Sequence, residues 1–177
     1  CIRDSGISME WNEDGFKNSE ITYTDGKFDG SYTIWGANGH KREEGNYKDN
    51  KKDGIFTTWD KNGQKQKLIA YKDGKENGLW IHWYENGQKI SEIVYKNGKL
   101  DGFYTIWGLD GQKKEEGIYN NDIKIENIIW KYYLNGKKER ERSYKDGNKD
   151  GIWTEWNVDG QIMETIYYKN GNLDGLH

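Results

Sequence analysis

Residues 78–102 read GLWIHWYENGQKISEIVYKNGKLDG, and this stretch decides the fold. Aromatic and aliphatic residues alternate with polar ones on both sides of Asn86-Gly87, which is typical of two β-strands joined by a tight turn. A second turn sequence, Lys-Asn-Gly at 96–98, leads to the glycine that begins the next copy. The stretch therefore predicts a β-hairpin that is connected directly to a further strand.

The same pattern recurs along the whole chain, and internal repeats of fixed period take precedence over any local reading. The spacing is 24 residues, with one inserted residue before the sixth copy. The residues that open the copies, here called the first glycines, are Gly6, Gly30, Gly54, Gly78, Gly102, Asn127 (the one exception) and Gly151. We expect a lead-in at 1–5 and one array at 6–177, with repeats starting at 6, 30, 54, 78, 102, 127 and 151.

Two aromatic rows accompany the first glycines in all seven copies. The tryptophan row is Trp11, Trp35, Trp59, Trp83, Trp107, Tyr132 and Trp156. The tyrosine row is Tyr23, Tyr47, Tyr71, Tyr95, Tyr119, Tyr144 and Tyr168. A position filled by a ring in every repeat is what folding requires, so both rows are interpreted as structural. The alternative is a row of rings that stacks on sugars or grips a partner.

The repeats predict an all-β fold, an elongated single antiparallel sheet built from seven tandem β-hairpins. No segment combines helical periodicity with capping residues. If each Asn-Gly or Asp-Gly turn is a three-residue loop with a bulge, Trp35 lies opposite Lys41 and Trp59 lies opposite Lys65, with the lysine over the indole. The junction at 120–126, which precedes Asn127, departs from the usual loop sequence.

The alternation also predicts which residues share a face. The tryptophan and tyrosine rows are expected to lie together with the neighbouring aliphatic residues on a core face. Positions that vary more between repeats fall on the other face or in the turns, where we predict contact with a ligand or partner. These contact candidates are Tyr32, Phe56, Trp80, His82, Tyr84, Tyr104, Tyr133 and Trp153.

Composition excludes several classes of protein. The 27 basic and 30 acidic residues give no excess of positive charge for nucleic acid. No apolar run approaches the roughly 20 residues of a membrane helix. One cysteine cannot form an internal disulfide framework or a thiolate zinc cluster. The 9 Trp and 13 Tyr residues argue against disorder.

The carboxylates do not form a catalytic pattern. Glu43-Glu44 and Glu115-Glu116 are adjacent strand residues that point to opposite faces, so they cannot act as a glycosidase pair. The aspartates that recur in the second loop, such as Asp49 and Asp53, are interpreted as turn formers rather than calcium ligands. We therefore predict no enzyme activity, no cofactor and no metal site.

The repeat string resembles the bacterial variant of the MORN repeat over residues 6–177, and departs from it at Asp122, Asn127 and Tyr132. The resemblance implies a non-catalytic binding scaffold that engages another protein or, alternatively, lipid headgroups. Some members of such families resemble antitoxin or immunity-type binders and others resemble surface proteins. Carbohydrate or cell-wall binding through the aromatic rows is a further alternative.

Cys1 is the only cysteine and the first residue. A mature bacterial lipoprotein begins in this way, with a lipidated thiol, so Cys1 is a lipidation candidate that predicts display at the cell surface or in the periplasm. The alternative is a sequence trimmed at this point, for which the prediction is a cytoplasmic protein.

Overall fold

The computed structural model describes residues 5–176 and contains no helix in that range. Cys1, the lipidation candidate, lies outside the described residues. The sixteen strands are β1 Ser5–Trp11, β2 Lys17–Thr24, β3 Lys27–Trp35, β4 Lys41–Lys48, β5 Lys51–Lys52, β6 Gly54–Trp59, β7 Lys65–Lys72, β8 Lys75–Trp83, β9 Lys89–Lys96, β10 Lys99–Trp107, β11 Lys113–Asn120, β12 Ile123–Tyr132, β13 Lys138–Lys145, β14 Asn148–Trp156, β15 Ile162–Lys169 and β16 Asn172–Leu176. The predicted all-β class is confirmed.

The chain divides into two compact units, at residues 1–99 and 100–177. In the first unit, β1 to β9 pair antiparallel in chain order, with the short β5 beside β6 along β4. In the second unit, β10 to β16 also pair antiparallel in chain order. The predicted succession of antiparallel hairpins is therefore confirmed within each unit.

Each hairpin turn has the geometry that its Asn-Gly or Asp-Gly sequence predicts. In the third repeat the N–H of Asp60 bonds the carbonyl of Gln64 (2.8 Å), and the N–H of Gly63 bonds the carbonyl of Asp60 (3.1 Å). Gly63 has φ +81°, a conformation that L side chains rarely adopt. Trp59 consequently lies opposite Lys65, as predicted.

A second irregularity follows at once and reverses the assignment of faces. Beyond Trp59, the next pair in the ladder is Thr58 with Lys67, so Gln66 is an extra residue on β7. An extra residue turns every later side chain of the strand to the other face. Tyr71 therefore lies opposite Gly54, on the face away from Trp59. The prediction that the tryptophan and tyrosine rows share a face was wrong for this reason.

The first glycines are bulge residues between one hairpin and the next. After the turn Asp73-Gly74, with φ +49° and +85°, Gly78 adopts φ +118°. A Cβ at Gly78 would lie 3.0 Å from the Cβ of Ala70 on the preceding strand. Glycine is required here both by its dihedral angle and by the close approach of the neighbouring strand.

The pairing of β11 with β12 departs from this scheme. Asn127 does not adopt the positive φ of the first glycines, and the bulge contains one extra residue instead of two. Glu115 pairs with Ile129, two residues after Asn127. In the first unit the equivalent residue, Glu43, pairs with Thr58, which lies four residues after the first glycine Gly54. Strand β12 is therefore displaced by two residues along β11.

Each unit buries its apolar side chains on the two faces of a sheet that no second layer of the described residues covers. We call the face with the tyrosine row the ring face, and the face with the tryptophan row the tryptophan face. Phe56 (2% exposed) and Tyr104 (3%) are the most buried rings, both on the ring face. Ile81 is 8% exposed and lies on the tryptophan face.

Candidate interaction surface

On the ring face of the first unit, aromatic side chains form an unbroken series across five strands. Ring centroids lie 5.1 Å apart for Tyr23 and Phe28, and 5.4 Å apart for Phe28 and Tyr47. Phe56 meets Tyr47 at 5.3 Å and Tyr71 at 5.5 Å, both edge to face. Such pairs contribute about 0.5–1.5 kcal/mol beyond the area that they bury. The series stabilises a sheet that has few buried aliphatic residues.

Two of the eight contact candidates cannot touch a partner, so the prediction for them was wrong. Phe56 is buried because Gly45 beneath it has no side chain, and a Cβ there would lie 2.6 Å from its ring. Tyr104 is buried against Tyr119, and its hydroxyl donates a hydrogen bond to Glu115 (2.5 Å). Both side chains form the core instead.

Three further candidates are half-buried on the ring face, and their role in contact stays a prediction. Tyr32 packs edge-on against Tyr47 at 5.2 Å. Trp80 lies 4.9 Å from Tyr95. Trp153 donates from Nε1 to the carbonyl of Ser143 (2.9 Å).

The remaining three candidates lie in other surroundings. His82 shares the ring face with Lys67, and burial followed by the lysine charge lowers the pKa of its imidazole. Tyr84 and Tyr133 each begin a hairpin turn. The Tyr133 hydroxyl donates to the carbonyl of Trp156 (2.7 Å), which links two successive hairpins in the second unit. The eight candidates therefore do not form one site.

The tryptophan face carries a ladder of cations over indoles, but not the predicted one. Lys17 lies over Trp35 at 5.5 Å and Lys41 lies over Trp59 at 5.9 Å. Each lysine thus covers the ring of the following hairpin rather than of its own. Lysines at this position of the repeat also pair with a glutamate three residues later, in the pairs Lys17–Glu20, Lys41–Glu44, Lys89–Glu92, Lys113–Glu116 and Lys138–Glu141.

In each unit a row of exposed apolar side chains lies on the tryptophan face, where a core was expected from the sequence. The row stands one residue after the first glycines. Its members, here called the apolar row, are Ile7 (49% exposed), Ile55 (56%), Leu79 (40%), Phe103 (73%) and Ile152 (45%). Their cross-strand neighbours extend the apolar surface, as Ile55 faces Ala70 and Leu79 faces Val94 in the first unit.

A signal in the sequence could have located this row. Residues three apart in a regular strand point to opposite faces. Lys41 and Glu44, and the four equivalent pairs, have opposite charges at this spacing and meet in the structure. That recurrence indicates a bulge between them, and the bulge moves the tyrosine row away from the apolar row.

The displaced strand β12 opens a groove on the tryptophan face of the second unit. The groove has a volume of about 230 Å³, and its apolar lining comes from Phe103, Ile118 and Ile128. Gly117 also lines the groove, and only glycine fits there, because a Cβ would lie 2.0 Å from the Glu126 carbonyl oxygen. The arrangement can accept an apolar side chain from outside.

The loop aspartates act within the turns. Asp53 Oδ2 accepts from Lys72 (3.1 Å) and from the N–H of Asp73 (3.3 Å), and the Lys72 bond lowers the pKa of Asp53. Asp150 accepts from the N–H of Asn170 (3.0 Å). Among residues 5–176 no group of three or more His, Cys, Asp or Glu side chains is placed to hold a metal ion. In the same range no helix is long and apolar enough to cross a membrane.

Comparison with known families gives a match that covers five stretches of the chain. A family model described as MORN repeat variant matches more than half of the chain, at residues 28–49, 52–73, 76–97, 131–146 and 149–173. The matched stretches omit 98–130, which holds the displaced strand pair. No curated protein matches the chain significantly.

Proposed function

This chain belongs to the MORN repeat variant family, and on that premise we propose that it is a scaffold that binds another protein through the tryptophan face. MORN repeats are generally non-catalytic modules, and they typically mediate interactions with proteins or membrane lipids. The surface on which we place the partner is the groove beside Phe103, on the tryptophan face of the second unit.

The observation that carries this proposal is the exposure of Phe103. The ring is 73% exposed and borders a groove lined by Ile118 and Ile128. Covering a Phe side chain contributes about 1.5–3 kcal/mol, and aromatic residues in pockets are typical anchors of protein interfaces. The near balance of charge over the chain favours a partner recognised by shape and apolar area.

The ring geometry supports a protein partner over a carbohydrate. A sugar stacks on an open aromatic face, but lysines already lie over several rings of the ring face. Lys52 is 4.2 Å from the Phe56 centroid, and Lys149 is 4.4 Å from that of Trp153. An antitoxin-type role would be one case of protein binding, with a toxin as the partner.

Peptide selection from a random phage library tests the proposal on the full chain. A peptide selected on the wild type should lose about tenfold in affinity with Phe103→Ser, which corresponds to about 1.4 kcal/mol of binding energy. The matched control is Leu134→Ser, an exposed apolar residue in a turn of the same unit. Affinity that falls with Trp153→Ala but is unchanged by Phe103→Ser would contradict the proposed surface.

A further inference from the structure

The sixth repeat carries a cluster of cations on its ring face that no other repeat has. The row that contains Arg140 has in the other repeats Ser19, Glu43, Lys67, Ser91, Glu115 and Glu164. The row that contains Arg142 has Ile21, Gly45, Ile69, Ile93, Gly117 and Ile166. Arginine at both positions is therefore a property of this repeat and not of the repeat pattern.

The pairing of β12 with β13 gathers these side chains into one concavity. Lys131 lies opposite Arg140, and Ile129 lies opposite Arg142. The concavity has a volume of about 340 Å³, and Tyr144 is among its lining residues. Two neighbouring strands thus present three cations together with the apolar side chain of Ile129 and the ring of Tyr144.

The carboxylates of the cluster neutralise only part of its charge. Glu139 accepts from both Lys131 (2.7 Å) and Arg140 (3.1 Å). Glu155 accepts from Arg142 (3.3 Å). Lys149 lies over Trp153 and donates to the Tyr168 hydroxyl (3.5 Å), and no carboxylate in the described range is within ion-pair distance of it.

Lys131, Arg140, Arg142 and Lys149 outnumber the carboxylates of Glu139, Glu155 and the neighbouring Glu164, which leaves a small local excess of positive charge in a chain whose net charge is -3. The Arg142 guanidinium is also held over the Trp153 indole at 4.7 Å, which fixes the orientation of its planar fork. A guanidinium held in this way is suited to bind a carboxylate through two parallel hydrogen bonds.

We propose that this concavity, the sixth-repeat pocket, binds the carboxylate side chains of an acidic peptide segment. The pocket lies on the ring face and is separate from the docking surface proposed on the tryptophan face. The glutamates between and beside the cations favour a peptide over an anionic bilayer. Glu155 and Glu164 oppose each other at the border of the pocket, and both would be repelled by the continuous negative surface of an anionic bilayer. A peptide avoids this repulsion, because its carboxylates can reach the cations between the two glutamates.

Fluorescence anisotropy with a labelled oligoglutamate peptide and the full chain tests this assignment. The wild type should bind the peptide more weakly as salt is added, because the contact is electrostatic. The double variant Arg140→Gln/Arg142→Gln should lower affinity about tenfold or more, and Arg142→Lys should have an intermediate effect. Labelled oligoglutamine should not bind.

The matched control is Lys65→Gln/Lys67→Gln, which removes the same charge and includes the residue of the third repeat that stands in the row of Arg140. It should change affinity by no more than about twofold, because these lysines do not line the pocket and their charges are screened by salt. Circular dichroism checks folding, and Lys131→Gln, an exposed site, replaces the arginine pair if that pair does not fold.

Three results would overturn the assignment. The first is no binding by the wild type at low salt. The second is equal weakening by the control pair, which would reveal unspecific attraction. The third is arginine-dependent binding of vesicles containing phosphatidylserine without binding of oligoglutamate, which would make the site a membrane contact. None of these results depends on Phe103, so the proposed function stands or falls separately.

Discussion

The second and fifth repeats have similar sequences, but the strand that follows each of them packs against it differently. Residues 28–47 and 100–119 are identical at 13 of 20 positions. In the first unit, Gly45 leaves room for Phe56, which becomes the most buried ring. In the second unit, the backbone of the next strand fills the space that a side chain at the equivalent Gly117 would need.

The difference shows that the strand following a repeat decides what the repeat packs against. One inserted residue and the change from glycine to Asn127 displace β12 by two residues. The residue equivalent to Phe56 is then Ile129, which is 40% exposed. The same displacement opens the groove beside Phe103. The irregular spacing before Asn127 thus creates the surface on which we place the partner.

Truncation of Phe56 and of its equivalent Ile129 should give the largest difference in the free energy of unfolding. Phe56→Ala should lower the free energy of unfolding by about 3–5 kcal/mol, because it leaves a cavity among tightly packed rings. Ile129→Ala should lower it by less than about 1 kcal/mol, since much of the side chain is already in solvent. Urea denaturation measures both, and similar losses would show that the two positions are packed alike.

Addition of one methyl group at Gly45 or Gly117 should give a smaller difference in the free energy of unfolding, and here the variant of the second unit should lose more. Gly117→Ala should cost about 3 kcal/mol, because the new Cβ meets backbone that cannot move independently. Gly45→Ala should cost about 1–2 kcal/mol, because the Phe56 ring can shift. Thermal unfolding of both variants gives the order, and a greater loss for Gly45→Ala would contradict the displaced pairing.

The hydroxyl of Tyr104 distinguishes it from Phe56 and should make the second unit sensitive to alkali. Burial, and next the hydrogen bond to Glu115, raise the pKa of Tyr104 above its ordinary value of 10.0. The unfolded chain therefore loses this proton first, so the stabilisation is complete below pH 10 and is lost as pH rises above it.

Tyr104→Phe should lower stability by about 1 kcal/mol near neutral pH and should flatten the decline above pH 10. Urea denaturation at a series of pH values, with Tyr133→Phe as the control, measures the effect. An unchanged slope in Tyr104→Phe would show that the phenol ionises equally in both states.

The lysine over each aromatic pair should give the smallest effects. Lys52 contacts Phe56 and pairs with Glu43 (3.0 Å), and Lys124 contacts Tyr104 and pairs with Glu115 (2.6 Å). Methionine at either position keeps most of the packing and removes the charge, so each change should cost about 0.5–1 kcal/mol. A loss above about 2 kcal/mol for either would mean that the pair is more buried than the structure has it.

Much of this architecture could be predicted from the sequence, because turn chemistry is local. The Asn62-Gly63 turn correctly predicted that Trp59 opposes Lys65. The assignment of faces could not be derived from alternation, since the extra residue Gln66 interrupts it. Phe56 and Tyr104 were consequently taken for surface residues, and the aliphatic residues beside the tryptophan row were taken for core.

The irregular junction before Asn127 was visible as a departure from the repeat, but its consequence was not. Whether a bulge with one extra residue moves a strand forward or back depends on packing against the preceding strand. The absence of a side chain at Gly117 permits the close approach. The sixth-repeat pocket likewise depends on which side chains the pairing of β12 and β13 brings together.

Disulfide trapping tests most directly the central claim that β12 is displaced by two residues along β11. In a Cys1→Ser background, Glu116→Cys/Ile128→Cys should oxidise readily, because the two residues are directly opposed. Glu44→Cys/Thr57→Cys is the positive control for the regular pairing. Glu116→Cys/Trp130→Cys, which regular pairing would oppose, should stay reduced, and preferential oxidation of that pair would contradict the account.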